Sequence, residues 1–150
     1  ALRSRAGMHT MNAFFPPDAA VIMRDRYMSR ILIVEDDEQL QQVLGMTLKR
    51  LGHEVHGSSN GVDAMVQASS LKPDLIVLDL MMPWASGDAV LGFLRSTESL
   101  KKTRVLVVSA HPKAAALADQ LDADGFLAKP VEMKTLCSAI DELLAPETMG

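Results

Sequence analysis

The sequence predicts an α/β fold, a doubly wound five-stranded parallel sheet with helices on both faces. Two observations indicate this fold. From residue 31 onward, short apolar runs alternate five times with segments of helical periodicity, a pattern typical of parallel sheets with right-handed crossovers. The first, third and fourth runs are the most apolar, so they belong in the middle of the sheet. The flavodoxin-like strand order 2-1-3-4-5 places these three strands there.

Each predicted element follows from its own residues. The strands are expected over residues 31–34, 54–58, 75–78, 105–108 and 125–128. The helices are expected over residues 40–51, 62–69, 87–96, 113–121 and 131–144. In the first helix, Val43, Leu44 and Leu48 recur at the spacing of one inward face. In the second, the helical spacing runs through Val62 and Val66.

Composition bounds the class of protein. The 150 residues correspond to about one domain, and 48% hydrophobic with 23% charged residues argues against general disorder. No apolar run approaches the ~20 residues that span a bilayer. The single Cys137 excludes an internal disulfide framework and a cysteine-rich zinc site, and it fits a reducing, cytoplasmic location. A net charge of −4 does not suggest direct nucleic-acid binding.

Charge also marks a domain boundary. Residues 1–29 carry a net charge of +2, whereas residues 30–150 hold 11 basic and 17 acidic residues, a net of −6. We expect residues 1–28 to be an upstream extension or cloning remnant, or else an arm over residues 19–27 that docks on the domain or on a second copy. The domain itself is predicted over residues 29–146, with a tail over residues 147–150. Without an output domain after it, the chain is expected to be a stand-alone regulator or one part of a longer protein.

Polar residues follow four of the predicted strands. Glu35 and Asp36 follow the first strand, Asp79 the third, Ser109 the fourth and Lys129 the fifth. Taken singly, each has an ordinary explanation as a helix cap, a turn residue or a solvated loop residue. Together they meet at one edge of the sheet, where ligands bind in such folds. Three carboxylates there repel one another, and a divalent cation with oxygen ligands, Mg²⁺, resolves that repulsion.

The chemistry narrows once a cation is placed. A carboxylate can act as the nucleophile toward phosphorus, and a metal neutralises phosphoryl oxygens. Lys129 offers a compact cation for another phosphoryl oxygen, and Ser109 offers a hydroxyl donor. The pattern therefore predicts a site that positions a transferable phosphoryl group.

Three segments resemble the receiver domain of two-component response regulators. They are ILIVEDD at residues 31–37, LIVLDLMMP at residues 75–83 and GFLAKP at residues 125–130. The resemblance covers about residues 29–146 and includes each active-site position in order, and it is closest to single-domain chemotaxis regulators. It implies that Asp79 is the phosphoacceptor, supplied by a phosphohistidine of a sensor histidine kinase or phosphotransfer protein. It further implies an acidic pair, Glu35 and Asp36, with Mg²⁺ also receiving the backbone carbonyl of Met81.

The resemblance also implies a switch. Ser109 matches the hydroxyl position, Ala110 the small neighbour that gives the phosphoryl group access, and Lys129 the lysine whose bond to the following proline is cis. Phe126 matches the aromatic switch position, although ordinary strand packing explains a phenylalanine there equally well. Phosphorylation would change a partner-binding surface formed by the fourth helix, fifth strand and fifth helix, in a monomer or a phosphorylation-dependent dimer.

Other functions fit the residues less well. The expected chemistry is confined to self-phosphorylation and slow self-dephosphorylation, so the chain is not predicted to be an enzyme in the usual sense. A dehalogenase-type phosphatase needs a second Asp where Met81 stands, and a nucleotide-binding domain needs a glycine-rich loop after the first strand. The alternative that stays open is a pseudo-receiver, a protein-binding module that is not phosphorylated.

Overall fold

The computed structural model describes residues 28–82 and 84–145. The strands are β1 Arg30–Val34, β2 Glu54–Ser58, β3 Leu75–Leu78, β4 Arg104–Ser109 and β5 Gly125–Ala128. The helices are α1 Glu38–Arg50, α2 Gly61–Leu71, α3 Gly87–Ser96, α4 Ala114–Gln120 and α5 Met133–Leu144. The arm considered over residues 19–27 and the predicted tail lie outside the described residues.

The sheet has the predicted topology. All neighbouring strands are parallel, and their order is β2-β1-β3-β4-β5. The central strands are the apolar ones: β3 is buried throughout, and only the first residue of β1 and of β4 has appreciable exposure. The edge strands β2 and β5 are mostly half-buried or exposed. The apolar runs therefore identified the middle of the sheet correctly, because a strand covered on both faces has no polar side.

Side chains alternate between two hydrophobic layers, one on each face of the sheet. The face under α2, α3 and α4 presents Leu32, Val34, Ile76, Leu78, Val105 and Val107. The face under α1 and α5 presents Ile31, Ile33, Leu75, Val77, Leu106 and Val108. This division follows from the two-residue period of a strand. Helices cover both faces of the sheet, and the loops that follow the strands lie at the carboxyl ends of the strands.

The helix faces contain one departure from the predicted pattern. On α1, Leu44 and Leu48 are buried as expected, but Val43 is 52% exposed. On α2 the apolar Val62 and Val66 face outward, and the buried residues are small. Those buried positions are Gly61, Ala64 and Ala68. The helix predicted there is confirmed, and its small buried residues allow α2 to pack close to the sheet and to α3.

Helix N-caps fix two of the loops at the carboxyl ends of the strands. The Asp37 carboxylate caps α1 by accepting the Gln39 and Leu40 N–H groups at 3.0 and 3.2 Å, and Asn60 caps α2 through the Asp63 N–H at 2.8 Å. Such caps satisfy helix N–H groups that have no partner within the helix. They fix where the loops after β1 and β2 turn into helices.

The loop between β3 and α3 is held by close backbone approaches at two glycines. A Cβ on Gly87 would lie 2.4 Å from the Asp79 carbonyl oxygen and 2.5 Å from the Leu80 Cα. A Cβ on Gly61 would lie 2.1 Å from the Ala85 carbonyl oxygen. Both clashes are with backbone, which cannot rotate away, so this loop is seated between the end of β3 and the start of α2.

Among the described residues, the structure contains no helix long and apolar enough to cross a membrane.

Two glycines of α3 provide a matched test of this packing. We expect Gly87→Ala to lower the free energy of unfolding by roughly 1–3 kcal/mol, because backbone must move to admit the methyl group. Gly92→Ala should instead raise it by roughly 0.5–1 kcal/mol, because no atom lies within 4 Å of the new Cβ and alanine favours a helix interior. Urea denaturation of both variants measures the difference; equal effects would contradict the assigned packing.

Candidate functional site

Strand register brings the acidic residues together. Val34 of β1 lies opposite Leu78 of β3, so Glu35 and Asp79 are the next residues of two adjacent strands. The Asp79 N–H donates to the Val34 carbonyl at 3.0 Å, and the Glu35 N–H donates to the Ser58 carbonyl at 3.0 Å. These bonds extend the sheet by one residue on each side and fix both carboxylates at its carboxyl edge.

Three carboxylates form one cluster at this edge. Glu35, Asp36 and Asp79 each offer an oxygen, and the three oxygens lie within 4.8 Å of one another. Glu35 and Asp79 are only 5% exposed, whereas Asp36 is open to solvent. The predicted convergence of these residues is therefore what the structure contains.

Lys129 enters the cluster from β5. Its Nζ donates to the Glu35 Oε1 at 2.6 Å and to the Asp79 Oδ2 at 3.1 Å. The Lys129 N–H donates to the Ser109 carbonyl at 3.1 Å, which keeps the end of β5 beside the end of β4. The bond from Lys129 to Pro130 is cis, as the resemblance implied. The Lys129 ammonium, which follows β5, thus binds carboxylates that follow β1 and β3.

Backbone donors orient the two buried carboxylates. The Met81 N–H donates to the Asp79 Oδ1 at 3.0 Å, and the Asp37 N–H donates to the Glu35 Oε2 at 3.2 Å. Gln41 adds a support that the sequence analysis missed, because its Nε2 donates to the Glu35 carbonyl at 2.8 Å and to the Ser58 carbonyl at 3.1 Å. A polar residue in the first turns of a helix carries no sequence signal for that role.

The cluster holds more negative charge than its lysine balances. Burial raises the pKa of Glu35 to about 7, against the hydrogen bonds from Lys129 and Asp37 that lower it, and the nearby charge of Asp79 raises it further. Burial lowers the pKa of Lys129, but its hydrogen bonds to Glu35 and Asp79 outweigh burial and raise it overall. Lys129 therefore stays charged, and one ammonium faces three carboxyl groups.

This donor set fits a divalent cation. It consists of carboxylate oxygens, the ligands that Mg²⁺ and Ca²⁺ prefer, and the raised pKa of Glu35 reflects a buried anion that lacks full compensation. Asp36, open to solvent, leaves one side of the cluster accessible. Glu35, Asp36 and Asp79 are the residues that would hold the ion.

The remaining predicted residues lie around this edge. Ser109 is 1% exposed at the end of β4, and its Oγ accepts the His111 N–H at 3.1 Å. Ala110 is exposed beside it, and Phe126 is half-buried against the hydrophobic layer under α2, α3 and α4. His111 accepts the Lys113 N–H at its Nδ1, 3.0 Å away, which is the geometry of a turn residue.

An open cavity of about 530 Å³ adjoins the cluster. It is lined by Asp36, Leu80, Met81, Met82, Ser86, Asp88, His111 and Leu117. Asp36 belongs to both the cavity wall and the acidic cluster, so the cavity is a route by which a molecule from solvent reaches the cluster.

Known proteins share this sequence and fold. Residues 31–141 match the family described as response regulator receiver domain. The DNA-binding dual master transcriptional regulator RpaA of Synechocystis sp. is 32% identical over 119 residues, 78% of this chain and 49% of that protein. The response regulator MprA of Mycobacterium avium is 35% identical over 117 residues, 77% of this chain and 50% of that protein. The chain thus spans about half the length of these relatives.

Solved structures agree on the fold. Chemotaxis response regulator CheY4 of Vibrio cholerae has a TM-score of 0.73 at 26% identity, over 77% of this chain and 98% of that chain. The receiver domain of sensor histidine kinase PA1611 from Pseudomonas aeruginosa, with a magnesium ion coordinated in its active site cleft, has a TM-score of 0.73 at 23% identity, over 79% and 99% of the two chains. Because the family match takes in most of the chain and each strand of the sheet, this protein belongs to the response regulator receiver domains of two-component systems.

Proposed function

We propose that Asp79 accepts a phosphoryl group from a phosphohistidine of a sensor histidine kinase or phosphotransfer protein, with Mg²⁺ held beside it. One observation carries the proposal: the Asp79 carboxylate lies in an acidic cluster whose single ammonium, Lys129 Nζ, is 3.1 Å from its Oδ2. A structural ion pair needs one acid and one base. Two buried acids, a third exposed acid and one base are an arrangement that an incoming cation and phosphoryl group would complete.

The residues that would hold Mg²⁺ are Glu35, Asp36 and Asp79, together with the backbone carbonyl of Met81. When bound, the ion would neutralise charge on the phosphoryl oxygens. The related fold of the PA1611 receiver domain holds magnesium in its active site cleft, which supports the choice of metal. The open side at Asp36 leaves room for water and phosphoryl oxygens as further ligands, as Mg²⁺ prefers.

In the proposed transfer, a carboxylate oxygen of Asp79 forms a bond to phosphorus as the N–P bond of the phosphohistidine breaks. The electron pair of that bond returns to the imidazole of the donor. Lys129 Nζ, already beside Asp79, would bind a phosphoryl oxygen, and the Ser109 hydroxyl would donate to another. Water would later attack the phosphorus, release inorganic phosphate and restore the Asp79 carboxylate. The chain would slowly hydrolyse only its own phosphoryl group, so it is not an enzyme in the usual sense.

A switch would follow from the same contacts. Drawing Ser109 toward the phosphoryl group would break its bond with the His111 N–H and open space near the end of β4. Phe126, half-buried on the neighbouring strand β5, would then turn inward, with the small Ala110 leaving the phosphoryl group accessible. The change needs only a modest difference in free energy between two existing states.

The output proposed for this switch is a protein contact. The face formed by α4, β5 and α5 would bind a downstream partner or a second copy, without direct contact to nucleic acid, and the reaction would take place in the cytoplasm. We assign these roles to a unit over residues 29–146. A pseudo-receiver that binds proteins without phosphorylation finds no support in the relatives or in the site.

Phosphorylation can be read directly. We expect incubation with acetyl phosphate and Mg²⁺ to add one phosphoryl group, detected by intact mass. Asp79→Asn and chelation of the metal should each abolish the label, because they remove the nucleophile and the neutralising cation. Asp63→Asn, which changes an exposed acid on α2, serves as the matched control and should label normally. Undiminished labelling of Asp79→Asn would refute the assignment.

Metal binding has a readout that needs no phosphate. Mg²⁺ should raise the thermal midpoint of the wild-type protein by several degrees at saturating concentration, as a ligand of the native state does. Asp36→Asn should lose most of that rise. Asp37→Asn is the neighbouring control, because asparagine caps a helix as well as aspartate and Asp37 is outside the cluster. Equal responses of the two variants would contradict the proposed ligand set.

The pKa of Glu35 predicts a pH dependence in the metal-free protein. With a pKa of 4.5 when unfolded and about 7 when folded, the native state binds more protons across that interval. Its stability should therefore fall as pH rises from about 5 to 8. In chelator, the thermal midpoint of the wild type should fall more over this range than that of Glu35→Gln, which cannot titrate. Parallel curves for the two proteins would count against the shift.

A further inference from the structure

The loop between β3 and α3 exposes Trp84 to solvent in an unfavourable backbone conformation. Trp84 is 85% exposed, and its backbone φ of 76° lies in the left-handed region. That region is strained for residues with a side chain, and a large exposed apolar surface is costly as well. Met81 on the same loop is 51% exposed. Among the described residues, the two hydrophobic layers do not include the Trp84 side chain.

The strain is built into the way the loop is seated. Ala85, the next residue, lies against Gly61 at the start of α2, and Gly87 lies against the backbone of Asp79 and Leu80. The chain is therefore fixed just after Trp84 and again at the start of α3. This seating fixes the chain directly after Trp84, which lies five residues beyond Asp79.

The described approach to Asp79 passes the loop between β3 and α3, which we call the rim and which contributes Met81, Met82 and Ser86 to the cavity wall. Its side chain is buried, with 5% of the residue exposed, and the adjoining cavity opens between the loops after β3 and β4. Any protein that brings an imidazole to Asp79 must lay the surface around that imidazole over the rim. Two residues of the rim, Met81 and Trp84, are exposed and apolar. Met81 also lines the cavity, together with the acids Asp36 and Asp88.

We infer that Trp84, with Met81, is the docking surface for the protein that carries the phosphohistidine. The complementary surface of that donor would place an apolar side chain on Trp84 and a basic residue toward Asp88, which lies outside the acidic cluster. Tryptophan is suited to this role because a rigid, large aromatic side chain contributes strongly where an interface excludes water. The inference rests on the proposed function, and it adds a residue that selects the donor without taking part in the chemistry.

A small and a large phosphoryl donor distinguish a docking role of Trp84 from a role in the chemistry, because only the large donor contacts the rim. The probes are acetyl phosphate, which touches no rim, and the phosphorylated histidine phosphotransfer domain that labels the wild-type chain fastest among a panel of such domains. Trp84→Gly removes the side chain and relieves the strained φ. Trp84→Phe keeps an aromatic ring, and Val66→Ala removes apolar surface from a 64% exposed position on α2.

We expect Trp84→Gly to lower kcat/KM for the protein donor about tenfold or more, as loss of an interface hot spot does, chiefly through KM. Labelling by acetyl phosphate should stay within about twofold of wild type, and the thermal midpoint should not fall. Trp84→Phe should recover much of the loss, and Val66→Ala should transfer normally.

Several outcomes would overturn the inference. Transfer to Trp84→Gly within twofold of wild type would exclude a docking role. So would an equal loss with acetyl phosphate, which would make Trp84 part of the chemistry. If acetyl phosphate labels the chain but no phosphotransfer domain does, the proposed class of protein donor is wrong, and the inference fails with it. A shift in sedimentation that depends on Trp84 in the absence of donor would assign the surface to a second copy. Failure of acetyl phosphate to label Asp79 would instead refute the proposed function.

Discussion

Two nearly buried carboxylates beside one another are the constraint on which the site depends. A sheet edge normally avoids such a pair, because each charge raises the cost of the other. Here β1 and β3 are in register, so Glu35 and Asp79 cannot move apart without breaking the hydrogen bonds that hold both strand ends. Lys129 offsets part of the repulsion from β5. The repulsion that Lys129 does not offset contributes to the raised pKa of Glu35. The same repulsion favours binding of a cation at the cluster.

Close packing of backbone makes this constraint possible. The two glycines that seat the loop after β3 leave no space for a side chain: Gly87 lies against the backbone of Asp79 and Leu80, and Gly61 lies against that of Ala85. The Met81 N–H that orients the Asp79 carboxylate belongs to the same fixed loop. The packing between α2, α3 and the end of β3 thus determines the position of the Asp79 carboxylate in the site.

The sequence predicted the sheet and the acidic cluster because both depend on patterns with a simple period. Strand order followed from which runs were apolar on both faces, and the cluster followed from the residues just after those runs. On α1, helical spacing placed Val43 on the inner face, but its side chain is 52% exposed, because spacing alone does not show how wide the covered stripe of a helix is. Gln41 and the φ of Trp84 depend on distances between elements, which no local pattern records.

The position of Lys129 has a consequence for the dynamics of the domain. It follows β5, an edge strand of four residues that is mostly half-buried and pairs on one side with β4. Strands of this kind are among the first to open in native-state fluctuations, since few buried contacts hold them. The ammonium tethers that strand to the rigid centre of the sheet through Glu35 and Asp79. We therefore expect the charge state of the cluster to influence how often β5 opens, so that amide exchange along β5 reports on what the acidic residues bind.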